Sequence, residues 1–190
     1  MDTMINAAIF IITAGLTLRL FYQDGRWAIQ NGAPAFRYFT VLSNVFCALT
    51  ALLMCLLPSQ DWVWLLKYVG TAAVTVTMMT VLLFLGPHYG YKELLKDSDF
   101  FMHLLTPLLA LVSFCVYEKR GLSFYTALIG ALPVLFYGLF YLYKVVFAPA
   151  EKRWDDFYGF NQAGKWPIAF AAMNLGGVLI CLGLMALQNS

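Results

Sequence analysis

Charge is what this sequence has least of. Of its 190 residues, 12% are charged, where a soluble domain carries roughly 25%. That shortage leaves no hydrated surface large enough for a soluble domain. The net charge of +2 is too small to point to nucleic acid. Cysteine is sparse as well. Cys47, Cys55, Cys115 and Cys181 all fall in apolar stretches, a poor setting for a disulfide framework. None has a histidine or carboxylate at ligand spacing beside it, so no metal is expected. The chain also lacks a glycine-rich phosphate loop, Cys-x-x-Cys, His-Glu-x-x-His and Gly-x-Ser-x-Gly. Phosphoryl transfer, zinc proteolysis and the nucleophile elbow have no footing here, and no organic cofactor is implied.

What is present is apolar: 62% hydrophobic residues, with 17% aromatic. Six stretches approach the roughly 20 residues needed to cross hydrocarbon, namely residues 4–21, 35–57, 66–85, 100–117, 124–143 and 167–187. The expectation is an all-α polytopic membrane protein, a compact bundle of six transmembrane helices forming one domain over residues 1–190. The first stretch is a poor cleavable signal, because Asp2 precedes it and Arg19 and Phe21 end it. It reads as span one.

Lysine and arginine set the orientation. The connections between spans one and two, three and four, and five and six, with their flanks, hold nine: Arg19, Arg26, Arg37, Lys92, Lys96, Lys144, Lys152, Arg153 and Lys165. The other side holds three: Lys67, Lys119 and Arg120. The positive-inside rule then puts both termini outside. Among the connections, residues 22–34 read as a short polar turn with two glycines and a proline. Residues 92–99 are the most charged stretch and suit a short surface helix. Residues 145–166 mix charge with aromatics. They read either as an ordinary interfacial loop or as a lid on the membrane surface.

Two polar residues sit where lipid should be, on different spans. Thr40 lies about 7–8 Å along span two, and His103 about 4–5 Å along span four. Hydrocarbon satisfies neither a hydroxyl nor an imidazole, so such groups pair inside the bundle and are functional candidates. A hydroxyl beside an imidazole is also the minimal equipment for nucleophilic acyl transfer. Asp97 or Ser98 is expected to cap the helix that carries His103. Asp99, four residues before His103, falls on the same face and can orient its ring. Pro107, four residues after it, cannot donate to the His103 carbonyl, so a kink is expected there.

Around Thr40, helical spacing puts Arg37, Thr40, Ser43, Asn44 and Cys47 on one stripe. Arg37, or Arg19 at the end of span one, is a candidate for an anionic head group. Both also suit a plain role as snorkelling anchors. Asn44, and Asn174 about 10 Å into span six, are candidate donors to an oxyanion. Each also fits as glue between helices, as do Thr71, Thr75, Thr77 and Thr80. His88, in a Gly/Pro turn, reads as solvated.

The six-span layout resembles the androgen-induced gene family and its bacterial six-span relatives. The resemblance rests on Phe39-Thr40 near the start of span two and on His103 shortly before Pro107 in span four. The run Phe36-Arg37-Tyr38-Phe39-Thr40-Val41-Leu42-Ser43-Asn44 looks especially like the bacterial branch. Trp154, Tyr158 and Phe160 look like that family's aromatic loop, although Gly159 stands where a proline is often found. The resemblance implies an integral-membrane hydrolase of fatty acid esters of hydroxy fatty acids, or of similar lipid esters. It implies Thr40 as nucleophile, His103 as the second catalytic residue, and a bacterial plasma membrane as location. A different class remains open beside it: a transporter or channel for a small anion or lipid. There Arg19, Arg37 and His103 would line a pathway, and polar groups would continue to the outer face.

Overall fold

In hydrocarbon every backbone N–H and C=O must be paired within the protein, which leaves these apolar segments only the helix. In a computed structural model that describes residues 1–190, all six form one. They are α1 (Asp2–Phe21), α2 (Phe39–Leu56), α3 (Asp61–Tyr89), α4 (Asp97–Tyr117), α5 (Phe124–Phe147) and α6 (Trp166–Asn189). The protein is an all-α bundle, and each of the six is long and apolar enough to cross a membrane. Both termini lie at one end of the bundle, here the terminal end. The α1–α2, α3–α4 and α5–α6 connections lie at the other, the loop end.

Helix limits depart from the sequence expectation where turns intervene. The chain before α2 coils as a 3-10 turn, Ala33–Arg37, and Tyr38 is extended, so α2 begins only at Phe39. Thr40 therefore sits in the first turn of α2. Helix α3 starts at Asp61, whose carboxylate lies in the positive first turn. It runs on to Tyr89 through a π turn, Val81–Leu85. Residues 22–34 contain more than a turn: Tyr22 pairs with Trp27, and Gln23 with Arg26, in a small antiparallel hairpin. Asp24 and Gly25 form its bend with φ of 51° and 76°, the Asp-Gly signature of a two-residue hairpin turn. Of the charged stretch 92–99, one helical turn forms, at Tyr91–Leu94.

Helix α1 packs on α2 and α4, and α3 packs on α2, α4 and α6. The first four helices thus surround a common axis. Lys67 of α3 bonds Asn6 of α1 across it at 2.6 Å. Lipid is as apolar as a leucine side chain, so close packing rather than hydrophobic burial holds such helices together. Gly70 shows the requirement. A Cβ there would lie 2.8 Å from Thr50 Oγ1 and 3.1 Å from the Cys47 Cα. Any side chain would push α3 away from α2. On the axis, Ile9, Cys47, Ala51, Val74 and Ala110 form one buried cluster, drawn from all four helices. Its small residues bring the four backbones together.

Candidate active site

The apolar cluster fixes the depth of everything beyond it. One helical turn toward the loop end from Ile9, Cys47 and Ala110 come Thr13, Asn44 and Thr106. All three are fully buried. One turn further come Thr17, Thr40 and His103. Threonine and imidazole therefore belong to one layer of the α1–α2–α4 group.

Asn44 joins their turns. Its Nδ2 donates to the Thr40 carbonyl at 2.8 Å and to the Met102 carbonyl at 2.9 Å. One amide thus ties the first turn of α2 to the residue preceding His103. Met102 and His103 lie in a π turn, Phe101–Leu105, directly before Pro107. The Thr106 N–H reaches back five residues to the Phe101 carbonyl. The expected disturbance at Pro107 is thus a register shift: the wider turn accommodates the missing N–H.

The His103 ring is 9% exposed. Its Nδ1 lies 2.6 Å from the Leu94 carbonyl oxygen. A carbonyl only accepts, so Nδ1 carries a proton, and in the neutral ring Nε2 is the nitrogen with the lone pair. Asp99 does not orient the ring; it is exposed, and the Leu94 carbonyl does that work. Asp97 and Ser98 do not cap the helix either. The capping position is Lys96, without a side-chain bond, and Asp97 itself takes a left-handed φ of 48°. The connection turns too sharply here for its side chain to fold back on the helix end.

Thr40 is half-buried, and no hydrogen bond joins it to His103. The hydroxyl beside it is that of Tyr158, from the α5–α6 connection. Tyr158 Oη accepts the Phe39 N–H at 3.0 Å, capping α2 from another part of the chain. Burial raises the Tyr158 phenol above its ordinary pKa. The Phe39 N–H that it accepts and the nearby hydroxyls of Tyr137 and Thr40 offset part of that rise.

Residues 145–166 form a structured connection docked on α5 and on the start of α2. Phe160 packs in a buried cluster with Tyr141, Leu142 and Val145, joined by Trp154, Phe157 and Tyr158. Asp156 anchors the fold of the loop. It accepts the Phe160 N–H at 2.7 Å, the Asn161 N–H at 2.7 Å and the Tyr141 hydroxyl at 3.1 Å.

The remaining candidates divide. Ser43, Asn44 and Cys47 face the bundle interior as the stripe requires, and Ser43 bonds Thr77 at 2.9 Å. Arg37 leaves the stripe, because it belongs to the 3-10 turn before α2. Its guanidinium donates to Tyr38 Oη at 2.8 Å and lies over the Phe157 ring. Asn174 spends its amide on the Phe170 carbonyl of its own helix at 2.8 Å. Arg19 is exposed, in a cleft of about 590 Å³ between the loop ends of α1 and α4. Leu16, Gln23, Asp97, Ser98 and Phe101 also line it; Thr40 and His103 do not. His88 is exposed, as expected.

Sequence reasoning missed a second polar centre, at the terminal end. Lys67, fully buried, donates to Asn6 Oδ1. Asn6 Nδ2 donates to Glu118 Oε1, which also accepts the Ser113 hydroxyl at 2.8 Å. The Trp64 indole holds the Glu118 carbonyl at 2.7 Å. Lys67 looked like an outer-loop charge because span three was read from residue 66. With α3 starting at Asp61, it stands six residues inside a membrane helix, a position reserved for paired charges. The terminal half of the bundle therefore holds a buried polar network as well.

Comparison with protein-family models, with curated proteins and with solved structures finds no match.

Proposed function

We propose that this protein is an intramembrane hydrolase of lipid esters, such as fatty acid esters of hydroxy fatty acids, in which Thr40 is the nucleophile and His103 the general base. The observation that carries this reading is the state of the His103 ring. Its Nδ1–H is fixed on the Leu94 carbonyl, so Nε2 is the basic atom, one layer with a threonine hydroxyl. The likeness of the residues around Thr40 and His103 to the androgen-induced gene family points the same way.

The chemistry runs in two halves. Nε2 takes the proton of Thr40 Oγ1 as that oxygen attacks the ester carbonyl. The tetrahedral oxyanion collapses, His103 passes the proton to the departing alkoxide, and Thr40 is acylated. His103 then deprotonates a water, which attacks the acyl-threonine; the second tetrahedral oxyanion collapses, His103 returns the proton to Thr40 Oγ1, and the acid is freed. A general base of this kind contributes about 10²–10⁴-fold. No bond joins Thr40 to His103 in the substrate-free state, so the reaction requires the Thr40 hydroxyl to come within hydrogen-bond reach of Nε2. Tyr158 Oη accepts the Phe39 N–H and keeps its own proton. It is therefore better placed to stabilise the oxyanion than Asn44, whose two N–H groups are both bonded to carbonyls, while Asn174 has one of its two bonded to Phe170.

Arg19, in the open cleft, suits the carboxylate of a fatty acid substrate. We place the site on the cytoplasmic side of a bacterial plasma membrane with both termini outside. Removing the buried Lys67 from the positive-inside count leaves nine cations against two, Lys119 and Arg120.

A fluorophosphonate probe tests the nucleophile. The purified protein should form an adduct on Thr40, lost in Thr40→Ala and reduced about 100-fold in rate in His103→Ala. Labelling that survives Thr40→Ala would move the nucleophile elsewhere.

A further inference from the structure

The layer between the apolar cluster and the Thr40–His103 layer holds three fully buried residues from three helices: Thr13 of α1, Asn44 of α2 and Thr106 of α4. Each carries a polar atom without a partner in the protein: Thr13 Oγ1, Asn44 Oδ1 and Thr106 Oγ1. The reason is local. A threonine inside a helix ordinarily bonds the carbonyl four residues back, which for Thr106 is that of Met102. Asn44 Nδ2 takes that carbonyl at 2.9 Å. The π turn moves the Thr106 backbone out of register as well. Asn44 Oδ1 is in turn left over, because both bonds of its amide run through Nδ2.

Orphaned polar atoms in a low-dielectric interior carry a desolvation cost that a bonded water offsets. Three of them, at one depth on helices that pack against one another, match in number the two to four partners that an ordered water requires. The geometry points to a bound-water site formed by Thr13 Oγ1, Asn44 Oδ1 and Thr106 Oγ1, one turn above His103, that supplies the hydrolytic water for deacylation of Thr40. Two oxygens that donate or accept and one that only accepts can hold a water as both donor and acceptor. Thr17 Oγ1, a turn further along α1 and likewise without a partner, extends the site into the His103 layer. The Arg19 cleft lies against this end of α1. Its lining residues Leu16 and Leu20 lie within one helical turn of Thr17, so the cleft is the nearest solvent to this end of the site.

The role in deacylation rests on the hydrolase reading; the water site itself does not. The first measurement is therefore independent of activity. The full chain, with carbon-13 threonine and in lipid bilayers, is examined by water-edited solid-state NMR. Thr13 and Thr106 should gain polarisation from water about threefold faster than Thr75, whose hydroxyl is bonded to the Thr71 carbonyl at 2.7 Å. Equal build-up at the three overturns the site.

The second measurement follows acyl-Thr40 by intact-mass spectrometry with a p-nitrophenyl ester. Thr13→Val and Thr106→Val keep side-chain shape and remove the hydroxyl. They should leave acylation within about twofold and slow deacylation about tenfold, so that acyl-enzyme accumulates, and Thr106→Ser should restore turnover. A purely structural role would slow both halves together. Deacylation at the wild-type rate in both valine variants overturns the supply role. Absence of any acyl-Thr40 would instead count against the hydrolase reading, while the NMR result still decides the water site.

Discussion

Tyr158 and Asn44 show how much a single side chain can organise here. Each holds the first turn of α2 to another element, Tyr158 through the Phe39 N–H and Asn44 through the Met102 carbonyl. Thr40 and His103 were legible in the sequence as polar groups stranded in lipid, and Asn44 as part of their stripe. Tyr158 was visible only as one aromatic of a loop, since nothing local ties residue 158 to residue 39. A pH prediction follows from its environment. A phenol ordinarily ionises near pH 10, and burial raises that of Tyr158 in the folded chain. For a group with a raised folded pKa, the stabilisation is whole below the unfolded value and is lost as pH climbs through the folded one. The docking of the loop should thus hold at pH 8 and weaken above about pH 10. Tryptic cleavage after Lys152 and Arg153, compared at the two pH values, reads this, and Tyr158→Phe should abolish the difference.

At the scale of elements, apolar length located all six helices, because nothing else satisfies backbone in hydrocarbon. Their ends were less legible. Proline and short polar turns moved them: the 3-10 turn before α2, the π turns before Pro87 and Pro107, and the hairpin at Asp24-Gly25. The α5–α6 connection was the hardest to read, since its structure comes from Asp156 bonding groups four and five residues on and a tyrosine of α5. Asp156→Ala removes all three bonds. Hydrogen bonds to a charged group contribute about 1.5–3 kcal/mol each where well formed, so the loop should undock while the helices persist. Hydrogen exchange over residues 154–161 should rise by about tenfold or more, with the spans unchanged. Protection equal to wild type would mean that aromatic packing alone holds the loop.

The whole molecule carries two polar centres at opposite ends of one axis, separated by the cluster around Ile9 and Val74. The centre at the terminal end, Lys67–Asn6–Glu118, joins α1, α3 and, through Ser113, the end of α4. Asn6 bridges the two charges, and removing either one leaves buried polar groups unpartnered, at a cost of about 1–3 kcal/mol or more. Replacing both with apolar or neutral residues of similar shape is far milder. Lys67→Met should therefore lower the unfolding midpoint in detergent sharply. Adding Glu118→Gln to it should recover most of the loss, and a Lys67→Met protein as stable as wild type would contradict the pairing.

The central claim is that Thr40 and His103 together break a lipid ester. The most direct measurement is turnover of a fatty acid ester of a hydroxy fatty acid by the purified protein in lipid, compared with Thr40→Ala and His103→Ala. The account predicts hydrolysis by the wild type, none above background in Thr40→Ala, and a loss of about 10²–10⁴-fold in His103→Ala. Hydrolysis that continues undiminished in Thr40→Ala would contradict it.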